Sequence, residues 1–279
     1  AGAVAAAARA AGAEIRTAAE VTRLRVARGR VAGVALAGGE EVAARAVVSC
    51  IDPKTTLAQL LDAEHLGPSL RFAIGNVRAR GAVAIVHFAL DALPQLKGAP
   101  EDPRHLGGRI QVAAALDDLE RAYDDAKYGR LPRRPYLELN LPSLADPSLA
   151  PAGKHVLTAW VQYPPYGLRH GSWEEHREAL GDAVLATLEE VAPGIGRRLL
   201  ARRVLTPLDL ERRYGLHQGC LYHVEPALDQ LLYLRPLPHF ARHRGPVPGL
   251  YLGGAGTHGG LGASGLQGRN AARAVLDDG

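Results

Sequence analysis

The C-terminal end of the chain constrains the fold most, because glycine is concentrated there between an apolar triplet and an amphipathic stretch. Leu250-Tyr251-Leu252 predicts a short strand, and six of the ten residues from 253 to 262 are glycine. Residues 263–276 then predict a helix. A strand that enters a helix through glycines leaves backbone N–H groups that a ligand can approach closely. A tight turn without a ligand is the alternative, and the density of glycine favours a ligand.

The same segment contains two bare GxGxxG patterns, at residues 254–259 and 260–265. A dinucleotide-binding fingerprint also needs a second strand after the helix, ending in an acidic residue. Asp277 and Asp278 stand at about the right distance, but no strand pattern leads to them and we expect nothing to hold them. We therefore interpret the segment as a different kind of ligand cradle.

The N-terminal residues 1–70 predict a helix, a meander of strands, a buried strand and a second helix. The predicted elements are a helix at Ala3–Ala11, a short strand at Glu14–Arg16, alternating strands at Thr22–Val26 and Ala32–Leu36, a more buried strand at Ala46–Val48, and a helix from Pro53 to Leu61. This order and the C-terminal strand, loop and helix are typical of an α/β domain.

Residues 71–238 show a different pattern, in which strands and helices predict an α+β arrangement. The predicted strands are Val83–Leu90, Arg109–Ala113, Tyr136–Leu141 and His155–Gln162, and the predicted helices are Leu116–Lys127, one capped by Ser172, and one from Thr206 to Gly215. Ser172 and Glu175 form a capping box ahead of apolar residues at helical spacing. We expect a mixed sheet with helices on one face.

The glycine segment and its flanks resemble a known family. Residues 249–258 (GLYLGGAGTH) and 268–272 (GRNAA) resemble the C-terminal FAD motif of phytoene-desaturase-like oxidoreductases. Residues 12–15 with Glu20-Val21 are similar to the second FAD-contacting segment of that family, and residues 47–53 resemble its buried strand and the following turn. Further similarities to its substrate domain occur at residues 117–123, 206–211 and 228–230. The resemblance covers nearly the whole chain.

This resemblance implies a fold of the α/β plus α+β class. It would be an incomplete FAD-binding domain of the glutathione-reductase-like type with an inserted mixed-sheet substrate domain. Residues 1–70 and 239–279 would belong to the FAD-binding domain, and residues 71–238 would form the substrate domain. The cofactor would be FAD, and the activity would be hydride transfer to or from the carbon skeleton of a small apolar substrate.

The resemblance also implies a role for particular residues. Val21 would pair its backbone with the adenine ring. Gly254, Ala255 and Gly256 would lie near the pyrophosphate and the ribityl chain. Gly262 and Ala263, at the start of the helix, would face the pyrimidine end of the isoalloxazine, where the helix dipole would stabilise negative charge on the reduced flavin.

Three positions depart from the family pattern. Ala255 stands where many flavoproteins place an acid, Gly259 replaces a proline, and Leu261 replaces a glycine and would have to accept a positive φ. The family's N-terminal GxGxxG, which holds the FAD diphosphate, does not occur in this sequence, and the sequence contains no methionine. We therefore expect a fragment whose partner is the missing N-terminal half of the same protein. The alternative is a non-catalytic fragment or degraded homologue that acts at most as an interaction module.

The histidines leave several interpretations open. His258 could polarise the flavin or the substrate, or it could cap the loop. His239 and His243 are spaced i,i+4, but Pro238 and the basic surroundings argue against a metal site. In residues 222–225 a histidine and an acid lie close together, and a structural hydrogen-bonded pair is preferred to a substrate-facing one.

Composition excludes other classes of function. The formal net charge is +4, but the arginines are scattered and lack interleaved aromatic residues, which argues against nucleic-acid binding. Cys50 and Cys220 form no metal-binding or dithiol motif, as expected in a reducing cytoplasm. No apolar run is long enough to span a bilayer, and a peripheral membrane contact stays open.

Overall fold

The computed structural model describes residues 1–100, 102–113, 115–262 and 264–279. The helices are α1 Gly2–Ala10, α2 Gly67–Asn76, α3 Leu116–Lys127, α4 Pro142–Ala145, α5 Trp173–Val191, α6 Pro207–Tyr214 and α7 Leu266–Asp278. The strands are β1 Val21–Ala27, β2 Arg30–Leu36, β3 Glu41–Ala43, β4 Val47–Ser49, β5 Val83–Leu90, β6 Ile110–Val112, β7 Tyr136–Asn140, β8 His155–Gln162, β9 Leu199–Leu205 and β10 Leu250–Leu252. Within the described ranges, no helix is long and apolar enough to cross a membrane.

The chain divides into two compact units. The first unit contains residues 1–77 and 226–279, and the second contains residues 78–225. The sequence placed the corresponding boundaries at 70/71 and 238/239. In the structure and in the sequence prediction alike, one unit is a continuous segment inserted between the N-terminal and C-terminal parts of the other unit.

In the first unit, β1, β2 and β3 form an antiparallel sheet in that order. Leu24 and Val31 lie on its buried side, because alternate residues of a strand point to the same face. The strand expected at residues 14–16 is wrong. No strand of the described chain pairs with this segment, and Arg16 instead forms an exposed ion pair with Glu40 at 2.7 Å.

β4 and β10 form a parallel pair in the first unit, with Val47 opposite Leu250. All three residues of β10 are buried. Val48 of β4, however, is 41% exposed, so the expectation of a more buried strand at residues 46–48 is wrong. The physical reason is that only β10 pairs with β4 in the described part of the chain, whereas parallel strands are normally covered on both sides.

The second unit is built on a five-stranded sheet in the order β6-β7-β8-β5-β9. Every neighbouring pair in this sheet is antiparallel, so the expected mixed sheet is wrong. The sequence periodicity identified four of these strands but does not encode the direction of their neighbours. The fifth strand, β9, was missed because Arg202 and Arg203 interrupt its apolar pattern.

The helix α5 covers one face of this sheet, as its apolar spacing predicts. The core there includes Leu180, Val184 and Leu188 of α5 and Phe88 and Leu137 of the sheet. The predicted capping box is present: Ser172 Oγ accepts from the N–H of Glu175 at 3.3 Å, and the Glu175 carboxylate accepts from the N–H of Ser172 at 3.0 Å. These bonds fix the start of the helix that closes the core.

The helix α7 starts at Leu266, three residues later than the start expected at residue 263. Gly265 and Gly268 were expected to permit close packing on the sheet, and this is wrong, since a β-carbon at either position would meet nothing within 4 Å. Gly253 makes the close contact instead: a β-carbon there would lie 3.1 Å from Cβ of Ala271. The helix therefore approaches β10 through the residue that directly follows the strand.

Candidate functional site

The glycine segment begins where the carboxyl ends of the parallel strands β4 and β10 meet. The N–H of Gly253 donates to the carbonyl of Ser49 at 2.8 Å. Gly254 then lies so close to the other strand that a β-carbon on it would be 2.3 Å from the carbonyl oxygen of Cys50. Ligands of open α/β sheets bind outside the carboxyl ends of the strands, which makes this edge the candidate site.

Beyond Gly254 the loop folds back on itself through its carbonyl groups. The carbonyl of Gly254 accepts from the N–H of Thr257 at 3.1 Å and from its hydroxyl at 2.7 Å. The carbonyl of Thr257 accepts from the N–H of Gly260 at 2.9 Å. A β-carbon on Gly260 would lie 2.3 Å from the carbonyl oxygen of Ala255. Gly260 is therefore required by the compactness of the loop, and Gly254 by its close approach to Cys50.

The amides of the loop behave differently from its carbonyls. The N–H groups of Gly254, Ala255 and Gly256 donate to no other residue in the part of the chain that the structure describes. Backbone N–H groups that find no acceptor inside a protein are rare unless water or a ligand satisfies them. Three consecutive amides of this kind can accept an anionic or carbonyl oxygen.

Asp52 is a second feature of this edge, and sequence reasoning used it only as the start of a helix. It is 2% exposed, and Oδ1 accepts from the N–H of Thr55 at 2.8 Å. Its Oδ2 is buried and has no hydrogen-bond partner among the described residues. A hydroxyl donor from a ligand would satisfy this oxygen. An acid three residues after the carboxyl end of a parallel strand was the signal available in the sequence.

Arg235 forms a hydrogen bond to the loop, and sequence reasoning also missed this residue. Its side chain is almost fully buried, at 1% exposed. Nε donates to the carbonyl of Ala255 at 3.0 Å, and Nη1 donates to the carbonyl of Gln230 at 3.2 Å. A guanidinium that fixes the carbonyl of Ala255 helps to set the orientation of the adjacent peptide. A single arginine before a proline gives no sequence signal for this role.

Two histidines lie near the loop. His243 is buried, and its Nδ1 donates to the carbonyl of Leu252 at 2.9 Å, which leaves Nε2 as an acceptor without a partner in the described structure. Burial lowers the pKa of His243, and the nearby His258 adds to this effect. His258 is half-buried, and its Nδ1 also lacks a partner among the described residues. Both roles expected for His258, polarising a ligand and capping the loop, stay predictions.

The other predicted site residues are more widely spread. Gly262 lies four residues before α7, so its expected position at the start of the helix is wrong, and Ala263 lies outside the described residues. Val21 begins β1 opposite Leu36. Among the described residues, this sheet contacts the segment before β10 through β2 and not through Val21. In the described chain, no hydrogen bond joins Val21 to the glycine loop. The cofactor roles of these residues stay predictions.

Leu261 has the positive φ that its place in the loop requires, at 76°, although it is not glycine. Its side chain is 44% exposed. Left-handed backbone is unfavourable for a leucine because its Cβ approaches the following carbonyl oxygen. This departure from the family pattern therefore carries a conformational cost.

The remaining acidic candidates form ion pairs within the described chain. The carboxylate of Glu225 forms ion pairs with Arg78 at 3.3 Å and Arg80 at 3.0 Å. Asp278 is held as well, contrary to expectation: it accepts from Arg244 at 2.7 Å and from the hydroxyl of Tyr251 at 3.0 Å. In the residues that the structure describes, no cluster of histidine, cysteine or acidic side chains could hold a metal.

Comparison with known proteins places this geometry in a family. The model of the flavin-containing amine oxidoreductases matches residues 2–276. Pyridine nucleotide-disulfide oxidoreductase domain-containing protein 2 of Rattus norvegicus is 40% identical over 99% of this chain and 49% of its own length. A lycopene-forming phytoene desaturase of Pseudescherichia vulneris is 30% identical over 95% of this chain and 51% of its own length. The chain thus spans about half the length of these relatives.

Solved structures agree on the fold. An oxidoreductase from Methanosarcina mazei matches with a TM-score of 0.58 and 19% identity over 98% of this chain and 52% of its own. A putrescine oxidase redesigned in cofactor binding matches with a TM-score of 0.57 and 14% identity over 97% of this chain and 50% of its own. At these identities the likeness concerns the fold alone. The family match over residues 2–276 establishes that the chain belongs to the flavin-containing amine oxidoreductases.

Proposed function

We propose that this chain is part of an FAD-dependent oxidoreductase of the phytoene-desaturase-like class, which transfers hydride to or from a carbon skeleton. The observation that carries the proposal is the row of three amides after β10 that donate to no described residue. They lie beside the carboxyl end of β4, where the buried Oδ2 of Asp52 also lacks a partner in the described chain. FAD presents the complementary groups: acceptor oxygens for the amides and hydroxyl donors for the carboxylate.

The residues present fit such a cofactor. FAD, when bound, supplies the hydride-transferring ring. Gly254, Ala255 and Gly256 would hold its pyrophosphate and ribityl region, Gly262 and Ala263 would contact the pyrimidine end of the ring, and Val21 would pair with the adenine. The protein's own part is to orient the ring, to exclude water and to stabilise negative charge through amides and the buried guanidinium of Arg235.

The fold type of the first unit is part of the same proposal. In a glutathione-reductase-like domain, β4 and β10 would be two strands of a larger parallel sheet. The uncovered edge of β4 and the exposed Val48 and Ile51, at 41% and 43%, would accept a strand from the missing N-terminal half. A chain of about half the length of its relatives supports this partner. That half would also bring the diphosphate-binding glycines.

The second unit would select the substrate. A small apolar substrate is supported by the relatives named as phytoene desaturases, and peripheral contact with a membrane would suit such a molecule. The alternative is a non-catalytic fragment or degraded homologue. One observation favours it: the left-handed Leu261 at a position where the family has glycine.

A visible spectrum tests the proposal. We expect the chain alone to be colourless or weakly coloured with added FAD, and a version extended by its upstream half to be yellow with bound flavin. In the extended protein, Gly254→Ala should remove most of the bound flavin, because the new β-carbon would displace the loop from Cys50. Gly75→Ala, in α2, is the matched control, since its β-carbon meets nothing. An extended protein that folds but stays colourless would refute the cofactor assignment.

A further inference from the structure

An arginine-rich cavity lies in the second unit. It has a volume of about 530 Å³ and is formed by α5, β9 and α6. Five arginines line it, accompanied by two acids: Arg177, Arg202, Arg203, Arg212 and Arg213, with Glu178 and Asp209. A volume of several hundred cubic ångströms is typical of sites for small molecules.

One wall of the cavity is held rigidly by Arg177. Its Nη1 donates to the carbonyl of Val204 at 2.8 Å and to Asp209 at 2.5 Å, and Nη2 donates to the other oxygen of Asp209 at 3.0 Å. Asp209 in turn accepts from the N–H and the hydroxyl of Thr206, both at 2.8 Å. This network joins α5, the end of β9 and the first turn of α6.

Arg202 fixes a second wall in the same manner. It lies on β9, its side chain is 15% exposed, and it forms ion pairs with Glu178 at 2.5 Å and Asp182 at 2.7 Å on α5. Arg212 on α6 pairs with Glu174 at 2.9 Å. These three arginines are therefore neutralised by carboxylates and serve to preorganise the cavity.

Arg203 and Arg213 are different. Both are exposed, and neither forms an ion pair in the part of the chain that the structure describes. Arg203 is the cross-strand neighbour of His87, and its charge adds to burial in lowering the pKa of that histidine. Two uncompensated guanidinium groups thus line one cavity whose other charges are paired.

A purely structural explanation covers only part of this pattern. β9 is an edge strand of the sheet, and charged residues on an edge strand prevent pairing with other chains. That role accounts for charge on β9, and Arg213, in the last turn of α6, complements the helix dipole, but neither role requires the two guanidinium groups to line one cavity. An anionic ligand would account for both residues, because the planar guanidinium group matches the geometry of phosphate oxygens.

We propose that this cavity binds a small molecule through a phosphate or diphosphate group, with Arg203 and Arg213 as its direct ligands and Arg177 and Arg202 as positioning residues. The proposal concerns the second unit alone and does not depend on flavin binding.

Calorimetric titration of the purified chain with inorganic pyrophosphate and with adenosine 5′-monophosphate tests the proposal. We expect saturable binding that the double variant Arg203→Gln/Arg213→Gln weakens about ten-fold or more, since two charge-assisted hydrogen bonds are lost. The matched control is Arg28→Gln/Arg273→Gln, which removes two exposed charges from the first unit and should leave binding unchanged. Thermal unfolding by circular dichroism verifies that both variants fold.

The outcomes separate a site from general attraction of anions. Equal weakening in both double variants would overturn the proposal, because net charge would then explain the affinity. Absence of saturable binding by the unmodified chain would overturn it as well. Sedimentation with vesicles containing phosphatidic acid distinguishes the source of the phosphate: binding to vesicles without binding to either soluble phosphate would contradict a small-molecule site.

Discussion

The two units of the chain differ in how far their strands are covered by other parts of the chain that the structure describes. The five-stranded sheet of the second unit has α5 on one face, and its core residues, such as Phe88 and Leu180, are fully buried. In the first unit, β4 has one uncovered edge, Val48 is 41% exposed, and three loop amides donate to no described residue. The comparison indicates that the second unit is organised for its own stability, whereas the first unit is organised to bind a further strand or a ligand.

The largest expected effect tests this contrast directly. Phe88→Ala should destabilise the second unit by about 3–5 kcal/mol, because it leaves a cavity in a closed core. Val48→Ala, on the uncovered strand β4, should cost about 0.5 kcal/mol or less, as for surface substitutions. Urea unfolding followed by circular dichroism measures both. Similar losses for the two variants would show that β4 is as well packed as the sheet, and the contrast would fail.

The second prediction concerns the network that joins α5 to α6. Burial alone would raise the pKa of Asp209, but the Arg177 guanidinium and the donors of Thr206 outweigh it and hold the pKa at about 2. An unfolded aspartate titrates near a pKa of about 3.9, so the stabilisation is complete above that pH and is lost as the pH falls from about 4 to about 2.

Asp209→Asn should therefore reduce stability at neutral pH by about 1–2 kcal/mol and flatten the acid limb of the stability curve. Urea unfolding between pH 2 and pH 7 measures this. Asp124→Asn is the control, because its pair with Lys127 is exposed and should contribute little. An acid limb that is unchanged in Asp209→Asn would assign the pH dependence to other carboxylates.

Local signals in the sequence determined much of this fold. The capping box at Ser172, the Thr206-Pro207 start of α6 and the apolar triplet before the glycines each specify an element within a few residues, and all three elements occur where predicted. The features that sequence reasoning missed depend on partners distant in the chain. The antiparallel direction of the sheet, the exposure of Val48 and the arginine-containing strand β9 are of this kind.

The candidate site shows the same difference between features that local sequence signals predict and features that depend on distant partners. Glycine density predicts close backbone approach, and Gly254 and Gly260 have it, although the atoms that they approach belong to the protein itself. The sequence offered a signal for an acid at Asp52, but the burial of Arg235 and the lack of a described partner for Oδ2 of Asp52 could not be predicted, because burial and hydrogen bonding follow from packing rather than from residue type. The start of α7 was placed too early: the helix begins at Leu266, after Gly265, whose φ of 73° is left-handed rather than helical.

The smallest expected effect concerns the glycine loop of the first unit. Leu261→Gly removes the unfavourable left-handed leucine but adds backbone entropy to the unfolded chain, so a net gain of up to about 1 kcal/mol is expected. Leu266→Gly, in the first turn of α7, is the matched control and should lose about 1 kcal/mol, because a helical position gains nothing from glycine. The thermal midpoint of each variant measures the difference. A Leu261→Gly variant destabilised by more than the roughly 1 kcal/mol that added backbone entropy explains would mean that the leucine side chain makes contacts worth more than its strained backbone costs. The loop would then be adapted to leucine rather than to a ligand.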